Sequence, residues 1–146
     1  MNAERTAAIA RGVEFLLARQ AEDGGWKQSR YGALRGGAAT TAMIVRAITA
    51  VGPAARLTLR RQLVAATEFL RRGFARRGCV ACPDGTLDLP VYATSLALLS
   101  NYDDLPLWKD EERERMVRWL RGQQLTEQRG FTRDDMQFGG WDLGAE

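Results

Sequence analysis

Two cysteines are the residues of this chain best suited by type and spacing to metal or redox chemistry. Cys79 and Cys82 form a CxxC pair, and the 146 residues contain no other cysteine and no histidine. A structural zinc site uses four ligands, so carboxylates or a second chain would have to complete one at this pair. A redox CxxC normally lies where a strand meets a helix, and the sequence shows no strand pattern. We therefore predict two reduced cysteines in a loop, and no metal site.

Arginine supplies most of the positive charge, and one cluster of it has the composition of an anion-binding surface. The formal net charge is +3. Cations are favoured near helix C-termini by the helix dipole, which favours a solvated helix end for this cluster. Elsewhere the basic residues alternate with acids, as in residues 110–115, so we expect no nucleic-acid partner. The cluster consists of Arg71, Arg72, Arg76 and Arg77.

Length and composition are those of a single soluble domain spanning residues 1–146. Hydrophobic residues make up 45% of the chain and charged residues 27%, which is ordinary for a globular protein. No stretch approaches the roughly 18 consecutive apolar residues that a membrane-spanning helix needs. The N-terminal residues mix charged and apolar side chains and lack the apolar core of a signal peptide. We therefore expect a cytoplasmic protein without a transmembrane segment.

An internal repeat indicates how the domain is organised. Residues 11–20 return 104 positions later as residues 115–124, with four identities and an aromatic residue at a fifth position. A weaker copy at residues 68–70 is offset by 54, and the segment that follows it repeats at the same offset. Self-similarity at such a period is typical of helical repeat proteins. The predicted units are about 1–53, 54–106 and 107–146.

Each unit begins with a charged amphipathic helix and continues with an apolar one. In the first helix the apolar residues recur at spacings of three and four, which predicts one buried face: Ile9, Val13, Leu16 and Leu17. The second type is apolar nearly all round and is therefore expected to be buried. The sequence thus predicts an all-α fold of about five helices in alternation. The outer helices are expected at 3–20, 55–72 and 108–124, and the inner helices at 39–51 and 89–100.

The loop after the first outer helix carries glutamine, aspartate, paired glycines and tryptophan. Gly24 and the glycine after it permit a tight turn with positive φ, and Asp23 can hydrogen-bond the turn backbone. Trp26 can fold back over the helix end with its N–H available to a partner. Gln20 is placed to bond loop backbone or exposed helix-terminal carbonyls. These residues are expected to staple consecutive helices together.

This set of residues resembles the QW motif of squalene and oxidosqualene cyclases, which occurs more loosely in protein prenyltransferase β subunits. A second copy begins at residue 115 and has Phe131 where tryptophan is usual; a further Gly-Gly-Trp follows at 139–141. The middle unit looks degraded, because its loop at 82–85 lacks both glutamine and tryptophan. The residues assigned to the motif are Arg11, Phe15, Gln20, Gly24, Trp26, Arg115, Trp119, Gln124 and Gly130.

The resemblance implies an α/α toroid, in which a ring of inner helices lies inside a ring of outer helices. The inner mouth of such toroids often holds an isoprenoid chain. Five helices would form only part of the ring, so we expect a partial toroid whose inner helices line an apolar cavity for an isoprenoid-like small molecule. The candidate lining residues are Thr40, Met43, Ala47, Tyr92 and Leu96.

The resemblance also implies catalytic residues that the sequence does not supply. Cyclases of this family that open by protonation carry an Asp-x-Asp-Asp acid motif, and the nearest string, residues 132–135, has threonine in place of the first aspartate. Protein prenyltransferases bind catalytic zinc partly through histidine, which this chain lacks. We therefore assign no catalytic residue and no cofactor. The alternative to a terpene-cyclase-like segment is a non-enzymatic helical-repeat scaffold that binds a protein partner.

The fifth predicted helix has no inner partner before residue 146. A repeat unit buries its apolar face only against the next unit. We therefore expect either the remainder of a longer chain or a homo-oligomer partner to cover the C-terminal edge. Both alternatives predict exposed apolar surface on the last unit.

Overall fold

The computed structural model describes residues 3–30, 34–74, 78–85 and 88–142, which form helices joined by loops. In these ranges the β-type pairs are two isolated bridges, so the predicted all-α class is confirmed. A short 3₁₀ helix occupies Glu127–Arg129. The α-helices are α1 (Ala3–Leu17), α2 (Ala38–Val51), α3 (Pro53–Thr58), α4 (Arg60–Phe74), α5 (Pro90–Leu98) and α6 (Asp110–Gly122).

The two apolar helices, α2 and α5, form the centre of the molecule. They pack along each other, while α4 packs on α2 and α6 packs on α5. Nine of the 14 residues of α2 are buried, among them Val45 and Ile48, and α5 buries Ala93 and Ala97. The prediction of buried inner helices at 39–51 and 89–100 is therefore confirmed, although α5 begins and ends slightly inside its predicted range.

Helix α1 lies at one edge and is only partly covered. Four of its residues are half-buried, and every other residue of the helix is exposed. Three of the four pack against the central core, so the face predicted from the apolar spacing is the one that is covered. No residue of α1 is fully buried. The half-buried residues are Ile9, Val13, Leu16 and Leu17.

The prediction of one outer helix at 55–72 is wrong, because two helices occupy that stretch. Gly52, at φ 140°, ends α2, and Pro53 starts α3 directly after it. Proline suits the first position of a helix, where its missing N–H would have no partner. Leu59, at φ −101° and ψ 14°, then separates α3 from α4. The chain therefore bends between α2 and α4.

A buried arginine accounts for the position of α3. Arg56 is only 8% exposed. Its Nε donates to the carboxylate of Asp104, 2.9 Å from Oδ2, and its NH1 donates to the backbone carbonyl oxygen of Thr49 at 2.8 Å. A buried cation is stable only when it is paired and hydrogen-bonded. These bonds hold α3 against the last turn of α2 and against the loop that follows α5.

The two described members of the arginine cluster lie in the last turn of α4, as predicted, and they also join elements. Arg71 on α4 donates from Nε to Glu112 on α6, at 3.0 Å from Oε1. Arg72 donates from NH2 to the backbone carbonyl oxygen of Asp23 at 2.8 Å. Both guanidinium groups are thus occupied between consecutive units. The other two members, Arg76 and Arg77, lie outside the described residues.

Candidate functional site

The first turn, residues 20–26, joins three elements through two side chains. Gln20 donates from Nε2 to the carbonyl oxygen of Gly24 at 2.9 Å and to that of Gln62 on α4 at 3.0 Å. Trp26 donates from Nε1 to the carbonyl oxygen of Leu16 at 2.7 Å, near the end of α1. The glutamine therefore ties the turn to the next outer helix, and the tryptophan ties it back to its own.

Glycine is required in the first turn because α4 lies directly against it. Gly24 has φ 88°, and a Cβ built on it would lie 2.3 Å from the carbonyl oxygen of Ala65. A Cβ on Gly25 would lie 2.9 Å from the ring of Phe69. Trp26, which follows the two glycines, is 3% exposed. The turn and α4 form a close contact that no larger residue permits.

Asp23 stabilises this turn as expected from the sequence. Its carboxylate accepts a hydrogen bond from the backbone N–H of Gly25 at 3.1 Å and another from Lys27 at 2.7 Å. Burial by itself would raise the pKa of Asp23, but the hydrogen bonds from Lys27 and Gly25 outweigh it and hold that pKa below its usual value. Asp23 is therefore ionised at neutral pH.

The third turn, residues 124–141, repeats the glutamine, tryptophan and backbone hydrogen bonds that close the first turn. Gln124 donates from Nε2 to the carbonyl oxygen of Gly139 at 2.8 Å, and Trp141 donates from Nε1 to the carbonyl oxygen of Leu120 at 2.8 Å. A backbone hydrogen bond of the two turns matches as well. In the third turn the N–H of Leu125 donates to the carbonyl oxygen of residue 140 at 2.9 Å, and in the first turn the N–H of Ala21 donates to the carbonyl oxygen of residue 25 at 2.9 Å.

The position of Gly24 is therefore taken in the third turn by Gly139, and the assignment of Gly130 to that position is corrected. Thirteen residues separate Leu125 from Gly139, whereas two separate Ala21 from Gly24. Gly130 instead ends the short 3₁₀ helix, with φ 82°. The inserted residues form a loop that leaves the stapled ends of the turn unchanged.

The second turn, described at residues 78–80, shares two backbone features of the first turn but has different side chains. Gly78 has φ 76°, and it is followed by Cys79 and Val80 where the first turn has glycine and tryptophan. Val80 N–H donates to the hydroxyl of Thr94 at 2.8 Å, as Trp26 N–H donates to a threonine hydroxyl of α2 at 2.8 Å. Residues 82–85 lie in a loop, as predicted, and Gly85 N–H bonds the carbonyl oxygen of Cys82 there at 3.1 Å. The counterpart of the first glycine turn, however, lies earlier in the same loop, at 78–80.

Thr41 and Thr94 place the inner helices in register. Each accepts a hydrogen bond from the last residue of the preceding turn. Thr41 on α2 and Thr94 on α5 are therefore equivalent positions. Two residues that follow these threonines by the same number of positions face the same direction, one on each helix. Met43 and Leu96, each two positions after its threonine, are therefore equivalent. Their side chains face the same side of the layer formed by α2 and α5.

That side of the layer carries an exposed apolar strip, which we call the inner stripe. Met43 is 44% exposed and Tyr92 is 43% exposed. The exposed members recur at spacings of three and four, as expected for one face of a helix. Apolar side chains exposed on two helices that pack along each other are typical of a binding surface. The inner stripe comprises Met43, Ala47, Ala50, Tyr92, Leu96 and Leu99, of which Leu96 is half-buried.

Four of the five candidate lining residues fall on the inner stripe, and Thr40 does not. Thr40 is 3% exposed, because all residues from 38 to 42, the first turn of α2, are buried. Its Oγ1 has no hydrogen-bond partner. Thr40 therefore belongs to the core, and its assignment to a ligand-facing position is corrected.

The outer-helix residues assigned to the motif differ in their burial. Arg11 is exposed, and Phe15 is 54% exposed with the guanidinium of Arg19 3.6 Å from its ring centroid. Arg115 and Trp119, at the corresponding positions of α6, are half-buried. The same motif positions are therefore more covered on the last outer helix than on the first.

The CxxC pair lies in a loop and neither cysteine forms a disulfide, as predicted; the structure adds that both cysteines are buried. The thiol of Cys82 donates to Oδ2 of Asp88 at 2.7 Å. Burial, together with this carboxylate, raises the pKa of Cys82 to about 12. A thiol protonated at neutral pH is neither a nucleophile nor a ready metal ligand. Cys82 therefore has a structural role.

Asp88 itself links the two inner helices. It is 4% exposed and accepts hydrogen bonds from the backbone N–H of Ala39 at 3.1 Å and from that of Leu89 at 2.8 Å. The first bond satisfies an N–H at the start of α2, where helices leave donors without internal partners. A loop of the second unit thereby caps the inner helix of the first.

The string at residues 132–135 forms a loop cap. Asp135 accepts hydrogen bonds from the backbone N–H of Thr132 at 2.7 Å and from its hydroxyl at 3.0 Å. These two bonds, the backbone one first, hold the pKa of Asp135 below its usual value. A catalytic acid needs a raised pKa, so this carboxyl lacks the property that the cyclase motif requires.

Comparison with protein-family models found no match, and neither did comparison with curated proteins or with solved structures. Among the described helices, none has the length and apolar character needed to cross a membrane. The function therefore has to be inferred from the turns and the inner stripe.

Proposed function

We propose that this chain is a segment of an α/α toroid like those of squalene cyclases and prenyltransferases, and that its inner stripe is one wall of a site for an isoprenoid-like ligand. The observation that carries the proposal is the exposure of large apolar side chains on helices that are otherwise the most buried of the molecule. Met43 on α2 is 44% exposed and Tyr92 on α5 is 43% exposed. Water-exposed apolar area of this kind is stabilised when an apolar ligand covers it.

The stapled turns support the resemblance to those families. The glutamine, the paired glycines and the tryptophan act together in the first and third turns, through matching hydrogen bonds. The ligand is expected to be apolar rather than charged, since the inner stripe consists of alanine, leucine, methionine and tyrosine. Catalysis is not part of the proposal, because the string at 132–135 caps a loop.

Binding of dansyl-labelled farnesol, followed by fluorescence, tests the proposal. The double variant Met43→Gln with Leu96→Gln places polar groups in the inner stripe and should weaken saturable binding by about tenfold or more, because each buried amide lacks a partner in an apolar site. Leu57→Gln is the matched control, because Leu57 is a 76% exposed leucine on α3, outside the stripe. An absence of saturable binding, or equal binding by the stripe and control variants, would refute the proposal.

A protein-binding scaffold is the second candidate, and the openness of the inner stripe favours it. Tyr92, 43% exposed, is a residue type enriched at the centres of protein interfaces. A scaffold would bind an amphipathic helix with apolar residues at spacings of three and four. Saturation by dansyl-farnesol that is sensitive to the stripe variants favours the isoprenoid site. The scaffold is favoured instead when a synthetic amphipathic helix binds in a stripe-dependent manner and dansyl-farnesol does not.

A further inference from the structure

The third turn is uncovered, although its backbone and hydrogen bonds match those of the first turn. Trp141 is 50% exposed, whereas Trp26 is 3% exposed. A Cβ on Gly139 would meet no atom within 4 Å, whereas a Cβ on Gly24 would meet the carbonyl oxygen of Ala65 at 2.3 Å. The difference between the two turns is the presence of a following outer helix against the first.

The second turn also lies against the following outer helix, although less closely than the first, so this packing is a regular feature of the unit interface. The atom nearest to a Cβ on Gly78 would be the carbonyl oxygen of Arg115 on α6, at 3.5 Å. Arg115 corresponds in the repeat to Ala65, the residue that meets Gly24, because Phe69 and Trp119 follow them at the same spacing. Each of the first two turns is therefore covered by the same part of the next outer helix.

Helix α1 presents the surface that would cover such a turn. In the repeat, Arg11 corresponds to Ala65, and Phe15 corresponds to Phe69. Phe69 is 2% exposed because it lies on the first turn, while Phe15 is 54% exposed. An arginine beside the ring is compatible with docking, since Phe69 also has an arginine guanidinium 5.3 Å from its ring centroid.

A groove in the third turn has the composition needed to receive an aromatic ring. Its volume is about 500 Å³. Gly140, which lines it, corresponds to the glycine that Phe69 contacts in the first turn, and a Cβ on Gly140 would lie 3.1 Å from the carbonyl oxygen of Gln137 in the inserted loop. Met136, at its rim, is fully exposed. The apolar side chains that line the groove are Leu125, Phe131, Met136, Phe138 and Trp141.

We propose that the third turn of one molecule is covered by α1 of a second copy, with Phe15 in the groove beside Gly140. The contact continues the unit interface already present twice within the chain, now between molecules. It is heterologous, since the two surfaces are different, and it therefore joins molecules head to tail. The inference does not depend on the proposed ligand.

Sedimentation velocity from about 1 μM to about 1 mM measures the association. The wild-type chain should gain mass with concentration, and either Phe15→Glu or Met136→Glu should weaken self-association by about tenfold or more. Both residues are exposed, so neither substitution should unfold the chain, which circular dichroism can verify. Leu57→Glu, at an exposed leucine on α3, is the control and should associate as the wild type does.

Mixing the two defective variants tests the head-to-tail geometry. Phe15→Glu keeps an intact third turn and Met136→Glu keeps an intact α1, so the mixture should recover a one-to-one dimer. A symmetric interface would give no such recovery. A wild-type chain that stays monomeric throughout, association that neither variant weakens, or a mixture that stays monomeric would each overturn the proposal. A monomeric wild type would mean that another protein or a further segment covers the turn.

Discussion

Alanine at Gly24 and at Gly139 provides a matched measurement of the contact between units. The two glycines have nearly the same backbone conformation, with φ 88° and 81°, and each has its carbonyl bonded by a glutamine side chain. They differ in what a new Cβ would meet. At Gly24 it would lie 2.3 Å from the carbonyl oxygen of Ala65, and at Gly139 it would meet nothing within 4 Å.

The expected free energies of unfolding depend on two costs, the backbone strain of alanine at positive φ and the clash of its Cβ with α4. An L-residue in the left-handed region costs about 1–2 kcal/mol, and this cost should apply equally to both variants. Gly24→Ala also forces the turn away from α4, and such overpacking typically costs about 1–3 kcal/mol more. The change in unfolded-state entropy is the same for both substitutions. Gly24→Ala should therefore be about 1–3 kcal/mol less stable than Gly139→Ala.

Urea unfolding followed by circular dichroism measures the difference, at a concentration low enough that self-association does not contribute. For an m-value of about 2 kcal/mol/M, the midpoint of Gly24→Ala should lie roughly 0.5–1.5 M below that of Gly139→Ala. Equal midpoints would mean that the turn and α4 are not in close contact. The reasoning about the unit interface, and with it the proposed docking of α1, would then be refuted.

Two helical glycines should respond oppositely to alanine, which ordinarily stabilises a helix by about 1 kcal/mol. A Cβ on Gly122 would meet no atom within 4 Å, so Gly122→Ala should raise the urea midpoint. A Cβ on Gly73 would lie 1.8 Å from the carbonyl oxygen of Ala81, so Gly73→Ala should lower the midpoint. Midpoint shifts of the same sign in the two variants would contradict this prediction. Cys82 has a pKa of about 12, so its thiol should resist iodoacetamide at pH 8 until urea unfolds the chain. Mass spectrometry that shows rapid alkylation of Cys82 in the native protein would contradict its burial. Hydrogen bonds hold the folded-state pKa of Asp23 below its usual value. The contribution of the Asp23 carboxylate to the free energy of unfolding is therefore fully present above the unfolded-state pKa of about 3.9, and it is lost as the pH falls through the folded-state pKa. The urea midpoint should therefore fall less on acidification in Asp23→Asn than in the wild type, and identical losses would exclude this contribution.

The inner helices could be located from sequence because their burial leaves a direct signal. The residues around Ile44 and Ile48 are apolar on nearly every side, and a helix of that composition is buried. The face of α1 could likewise be predicted from the spacing of Val13 and Leu16. Both predictions depend on local composition alone.

The third turn was harder to predict because two glycines fit its conformation. Gly130 and Gly139 have φ 82° and 81°, so positive φ does not distinguish them, and a fixed offset favours the wrong one. The discriminating signal is the second glycine and the tryptophan that follow Gly139. Both are needed to reproduce the hydrogen bonds of the first turn.

The break between α3 and α4 is not a local property of the sequence. It accompanies the ion pair between Arg56 and Asp104, which are 48 positions apart. Periodicity analysis treats a charged residue as exposed, whereas Arg56 is buried by its distant partner. The burial of Thr40, which was predicted to line a ligand site, has a related cause, because the loop of the next unit covers the first turn of α2.

The two proposals are connected by the geometry of repeats. Helical repeat proteins that end their own stack carry polar terminal faces, but the described edges of this chain present Phe15 on one side and Trp141 on the other, both at least half exposed. In the proposed toroid, two inner helices would form an open wall, and each added unit would enclose the inner stripe further. An apolar ligand gains free energy in proportion to the area that it covers, so dansyl-farnesol should bind the associated wild-type chain more tightly than it binds monomeric Phe15→Glu. Because Phe15 lies on an outer helix, away from the inner stripe, such a difference would measure the coupling between assembly and binding.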